Sequence, residues 1–339
     1  MTRLPVVLAS SVIRSAFKGE SHGGLYLVDL EEGRSRQVYD WDDASISWEG
    51  RGHDRGLRGI GFWRDSICVA ASDEIFFFDQ DFRIRGSIAN RYLKHCHEIH
   101  VSGSHLWAAS TGFDSVLELD LDSMRWVSGF ALRGTPGPIG RVVRRLRSAV
   151  KSVRRTLGGP RLIRRDVGQP RLWQFDPEGD GGPSPGNLLH LNQVWAEGSR
   201  VFVCGTYLRN LLAISGEGLE LYAKVPEGTH NARPIGDEIL VNETSANRAS
   251  LLSRDGEPVR VWPVPRYVDE ALQHRMPDDH ARQGFARGLA VTGDLLVVGS
   301  SPATITAFRL GSVEPVRTVN LTMDVRNSIH GLEIWPFGS

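Results

Sequence analysis

Cysteine is nearly missing. Cys68, Cys96 and Cys204 are the only three in 339 residues, odd in number and scattered over apolar stretches. That argues against a disulfide framework and for reduced, small apolar fillers in a cytoplasmic protein. No apolar run approaches the roughly 20 residues needed to span a bilayer. The first residues, Met1 to Arg14, hold only a short apolar stretch and read as a strand rather than a signal peptide. A nucleophile elbow, a phosphate-binding glycine loop, a dinucleotide fingerprint and a close Cys/His cluster are all lacking, which removes several common enzyme classes. Net charge is lacking too, with 40 Lys and Arg against 40 Asp and Glu. The balance is uneven: 11 basic residues and no acid lie between Arg133 and Arg165, leaving 29 basic against 40 acidic elsewhere. A basic insert on an acidic body does not make a nucleic-acid-binding surface.

What the chain does have is repetition. The segment His97-Glu-Ile-His-Val-Ser-Gly-Ser-His-Leu-Trp-Ala-Ala-Ser lies over Arg287-Gly-Leu-Ala-Val-Thr-Gly-Asp-Leu-Leu-Val-Val-Gly-Ser, so that Gly103 meets Gly293 and Ser110 meets Ser300. Six such units of short strands, at a period of roughly 40 residues, predict an all-β, six-bladed β-propeller forming one domain over 1–339. The first unit has no inner strand, and His330-Gly-Leu-Glu-Ile-Trp is an inner strand with nothing after it. Pairing the two closes the ring and leaves no free edge on the first blade.

The start of each inner strand is polar: Arg58, His97, Asn192, His230, Arg287 and His330. In a propeller these positions ring one mouth of the central channel. Polar residues there can simply line a wet channel. Alternatively, His97, His230 and His330, with Gln193 beside Asn192, form a divalent metal site or an acid/base group. In a third reading Arg58 and Arg287 fork onto a carboxylate, sulfate or phosphate while the histidines orient the ligand. Asp114, Tyr207, Arg209, Glu243 and Asn247 lie on loops opening toward the same face and form a second tier of substrate-binding candidates. His53, His95 and His190 lie close enough in sequence to reach the mouth. The directions of Glu98 and Glu333 are not fixed by spacing.

Residues 134–188 interrupt the passage between blades three and four. Within them, 138–157 reads as an amphipathic helix, with Val142, Leu146, Val150, Val153 and Leu157 on one side and arginines on the other. Such a helix caps the propeller, docks a membrane surface or a protein, or acts as a lid that steers anions. A second, smaller insert runs from Pro265 to Gln283.

His190-Leu-Asn192, His230-Asn-Ala-Arg233, Thr111-Gly-Phe-Asp-Ser-Val-Leu-Glu-Leu-Asp and Phe285-Ala-Arg-Gly-Leu-Ala resemble an uncharacterised bacterial six-bladed β-propeller family. More broadly the chain is similar to gluconolactonase, strictosidine synthase and NHL-repeat propellers. The gluconolactonase-type calcium site uses Glu, Asn and Asp where this ring has His and Arg, so lactonase activity is not implied. Oligogalacturonate lyases, which have seven blades, bind a metal through three His and a Gln, a set echoed by His97, His230, His330 and Gln193. Two functions are expected from these residues. One is action on an anionic or sugar-like small molecule, as a metal-assisted lyase, epimerase or hydrolase; the other is a non-catalytic propeller that binds a ligand or partner.

Overall fold

Six antiparallel sheets, one per repeat, make up the computed structural model, which describes residues 3–14, 16, 19–42, 56–134, 170–274 and 282–338. Blades 2, 4, 5 and 6 are four-stranded meanders whose inner strands are Ile60–Trp63, Leu191–Glu197, Thr229–Ile235 and Leu289–Thr292. Blade 3, starting at Cys96–Ser102, gains a fifth strand, Pro170–Phe175, on the outer edge of Arg125–Gly134. The helix expected over 138–157 falls outside the described residues. None of the helices among the described residues is long and apolar enough to cross a membrane.

Blade 1 closes the ring as the repeat pattern requires. The C-terminal strand Asn327–Ile334 pairs antiparallel with Val6–Ile13, Val7 facing Ile334 and Ile13 facing Asn327. Gly24–Asp29 and Arg34–Asp40 complete that sheet.

The core is itself a ring. Successive strand side chains point to opposite faces, and each blade is covered on both. Val7 and Ala9 therefore pack on blade 6 with Val297, Ile305 and Ala307, while Leu8 packs on blade 2 with Ile67 and Val69. Four further clusters of the same kind fill the other blade interfaces. Cys68, Cys96 and Cys204 are buried, unoxidised members of them. Burial pushes each thiol up to about 12, so none is a nucleophile at neutral pH.

Five inner strands turn into their neighbours through two-residue loops whose first residue has positive φ: Arg64, Gly103, Gly198, Gly236 and Gly293. Glycine takes that conformation without steric cost, which explains its recurrence at this step of the repeat.

Candidate functional site

The mouth is built by a device repeated from blade to blade. Two residues before the mouth position the backbone turns left-handed: His95 (φ 53°), His190 (φ 54°), Gly228 (φ 87°) and Phe285 (φ 41°). The inner strand then bulges at the mouth residue or directly after it in blades 1, 3, 4 and 5. A bulge re-aims side chains that simple alternation would send apart. As a result both His97 and Glu98, neighbours in sequence, are buried.

Fourteen residues on, a threonine hydroxyl waits. Thr111 Oγ1 lies 2.9 Å from His97 Nδ1 and donates its proton to the carbonyl of Leu191 in the next blade. Thr244 Oγ1 lies 2.9 Å from His230 Nδ1 and donates to Ala286 O at 2.8 Å. Because each hydroxyl proton is committed to a carbonyl, each threonine oxygen must accept from the imidazole, which places the ring proton on Nδ1. The carbonyls of His95, at 2.9 Å, and Gly228, at 3.3 Å, face the same two nitrogens and favour the same tautomer. Asn192 follows the pattern with Thr206 at 2.9 Å and Thr229 O at 3.1 Å.

The Nε2 lone pairs of the three histidines differ in what they meet. Arg58 Nη1 lies 3.1 Å from His97 Nδ1 and 3.3 Å from Nε2. Since Nδ1 carries the proton, Nε2 is the acceptor despite the longer distance. Arg287 Nη1 donates to His330 Nε2 at 2.8 Å. His230 Nε2 is buried and has no hydrogen-bond partner among the described residues. The His97 ring stands 5.5 Å from His330 and 5.1 Å from His190, which in turn stands 5.8 Å from Tyr207.

Burial, reinforced by the guanidinium groups, holds all three mouth imidazoles well below their ordinary value near 6.5. Arg58 adds most to the effect at His97 and Arg287 at His230 and His330. They are neutral at physiological pH. Among the described residues no group of three or more His, Cys, Asp or Glu is placed to hold a metal ion. Gln193, buried beside the mouth, donates through Nε2 to Val194 O at 3.0 Å.

Residues that follow His97, His230 and His330 in their strands form a second polar group. Asn231 donates to Glu98 Oε2 at 2.5 Å, and Arg233 pairs with Glu333 at 2.6 Å while covering the Trp195 ring at 4.4 Å. Burial pushes Glu98 up to about 8 and raises Glu333, in each case against the lowering pull of Arg233.

The second-tier candidates divide. Tyr207 stands against His190 at the mouth. Asp114 is spent on the backbone, accepting from the amides of Leu188, Leu189 and His190 at 2.5, 3.1 and 3.0 Å. Asn247 takes the amide of Phe285 in the same way at 3.1 Å. Both are staples that fix the left-handed entry to the next blade. Glu243 is held inside blade 5 by a two-pronged contact with Arg248 at 2.8 and 2.9 Å. Arg209 pairs with Glu227 on the surface at 2.8 Å.

Sequence reasoning missed Arg14, Arg282 and Phe285. The three guanidinium groups of Arg14, Arg282 and Arg287 stand 4.3, 4.6 and 5.6 Å from the centroid of the Phe285 ring. Phe285 was visible as the residue two before Arg287. Arg14 directly follows the second strand of its blade, the step of the repeat that carries Thr111 and Thr244 elsewhere, and Arg282 lies in an insert.

The fold is that of a six-bladed β-propeller. Over 97% of both chains it is similar to a chain of the nidogen/laminin complex, with a TM-score of 0.54 at 10% identity. It is equally similar to a protein of unknown function from Bacteroides caccae, with a TM-score of 0.54 at 9% identity over 98% of this chain and all of that one. At such identities the likeness shows the propeller fold alone. No family model and no curated protein matches the chain.

Proposed function

We propose that the mouth binds a small anionic molecule that also carries hydroxyl groups, such as a sugar acid. The observation that carries this reading is the buried pairing of two guanidinium groups with neutral imidazoles, beside a His230 Nε2 that has a lone pair and no donor among the described residues. Guanidinium groups favour an anion over a cation, and a ligand hydroxyl suits the lone pair. A cation would meet Arg58 and Arg287 first, and would have to displace them from the lone pairs of His97 and His330. That weighs against the divalent metal held by His97, His230, His330 and Gln193.

Binding is favoured over catalysis in the ligand-free state. An imidazole far below its ordinary range is a weak base, and general-base catalysis works best near the working pH. A bound anion offsets the guanidinium part of this lowering at His230 but not burial, its larger cause, so any proton abstraction beside a carboxylate follows ligand binding. A lyase or epimerase step is the chemistry consistent with that order. Non-catalytic recognition needs nothing further.

Titration calorimetry with D-erythronate, and with erythritol as its uncharged counterpart, tests the reading together with metal analysis of the purified protein. Erythronate should bind and erythritol should not, and Arg287→Gln should weaken erythronate at least about tenfold, the size of one charged hydrogen bond. Equal binding of the two polyols would overturn it. So would one equivalent of tightly held transition metal that is lost in His230→Ala.

A further inference from the structure

Glu98 is a buried carboxyl group with no cation in contact among the described residues. It meets only amides, accepting from Asn231 Nδ2 at 2.5 Å and from the backbone of Ile99 at 3.3 Å. Asn231 is fixed in that orientation, because its Oδ1 accepts from the Gly288 backbone at 3.0 Å and from Asn242 at 3.2 Å. Arg233, whose charge reaches Glu98, is itself held by Glu333 at 2.6 Å. Two carboxyl groups therefore draw on one guanidinium charge. A buried carboxyl group without an opposite charge in contact keeps its proton. Burial, with the Glu333 charge behind it, accordingly pushes Glu98 up to about 8.

This carboxyl group lies against the mouth. Glu98 follows His97, and Asn231, which holds it, follows His230. Gly59, the residue after Arg58, leaves it room: a Cβ there would stand 2.6 Å from Glu98 Oε1. Counting about 1.5 Å for that bond and about 3.8 Å to the next Cα, Glu98 Oε1 lies within about 8 Å of the Arg58 Cα. The Cys96 thiol feels both the Arg58 and the Glu98 charge. Buried charges are screened far less than exposed ones, so a negative charge on Glu98 is felt at the mouth. The groups around it are Arg58 of blade 2, Cys96, His97 and His100 of its own blade, Arg233 of blade 5 and Glu333 of blade 1. Between neutral pH and the pH where Glu98 ionises, the two imidazoles stay neutral, far below their ordinary value, and the thiol, pushed up to about 12, stays protonated.

We infer that anion binding at the mouth is controlled by the proton on Glu98: the mouth takes its ligand with Glu98 as the neutral acid and loses affinity when Glu98 ionises. This rests on the anion-binding reading of the mouth and gives that site its regulation. An ionised Glu98 repels a bound carboxylate and a neutral one does not. Ligand and proton therefore favour each other, and by reciprocity ligand bound above the transition takes up a proton. Affinity falls as pH climbs through about 8.

Calorimetry of D-erythronate with the full chain, from about pH 7 to about pH 9.5, decides it. Affinity should fall at least about fivefold, the low end of ordinary coupling between sites. Heats measured near the transition in two buffers of different ionisation enthalpy should show net proton uptake. Glu98→Gln keeps an acceptor for Asn231 and removes the charge, so its affinity should stay flat at the neutral-pH value of the wild type. Glu333→Gln leaves Arg233 to Glu98 alone and should move the fall to lower pH. A flat wild-type affinity overturns the inference and leaves the mouth reading standing. So does a fall that persists in Glu98→Gln or keeps its midpoint in Glu333→Gln. Failure of erythronate to bind at every pH overturns both.

Discussion

At the scale of single residues, two sets of buried groups pull stability in opposite directions with pH. The mouth histidines have depressed pKa values in the folded chain. Unfolding therefore takes up protons below their ordinary 6.5, and their contribution is lost as pH falls through that range. Glu98 is the reverse case. Its pKa rises from 4.5 to about 8, chiefly through burial, so its contribution is complete below 4.5 and lost as pH climbs toward 8. Glu98→Gln keeps an acceptor for Asn231 and removes the titration. The melting temperature of the wild type should fall between pH 6 and 9, and that fall should be clearly shallower in the variant. Identical profiles would show that Glu98 is ionised throughout. None of this could be read from the sequence, since alternation sends His97 and Glu98 to opposite faces and only the bulge between Cys96 and Ile99 brings both inside.

Between elements, the working unit is the passage from one blade to the next. Left-handed entry, mouth residue and a threonine fourteen positions later form one hydrogen-bonded joint, as in His230, Thr244 and Ala286 of blades 5 and 6. That a polar residue opens each repeat was legible in the sequence. The threonines were present in the same repeat, but their role depends on a bond to a carbonyl in the following blade. A pattern read along one strand does not carry that bond. Thr244→Val leaves the His230 Nδ1 proton and the Ala286 carbonyl without their partner and should cost about 1–3 kcal/mol in urea unfolding. Thr244→Ser should recover most of it. The loss should come with a mixture of His230 tautomers in nitrogen NMR, a change that packing damage alone would not produce. A single Nδ1–H tautomer in Thr244→Val would mean that the Gly228 carbonyl, not the threonine, sets the proton.

For the whole molecule, the decisive feature is that the ring is closed by hydrogen bonds rather than by the chain. Ile334 faces Val7 across the join, so Asn327–Ile334 and Val6–Ile13 are one sheet made from opposite ends of the sequence. Removing 327–338 exposes the edge of Val6–Ile13 and strips Ile329 and Leu332, both fully or nearly buried, from the cluster between blades 6 and 1. It also removes His330 from the mouth. Losing two such side chains costs several kcal/mol, comparable to the whole stability of an ordinary domain. The truncated chain should therefore aggregate or stay unfolded. A circular permutant supplies the contrast: residues 339 and 1 joined by a short flexible linker, with new ends between Gly216 and Glu217 in an exposed turn of blade 4. It keeps every strand, makes blade 1 continuous and moves the open joint to the outermost strand of blade 4. Near-ultraviolet circular dichroism and size-exclusion chromatography should show a folded molecule with wild-type tertiary signal in the permutant and not in the truncation. A monomeric, cooperatively melting truncation would mean that five complete blades and three strands of the sixth hold the ring unaided, and that the C-terminal strand serves the mouth alone.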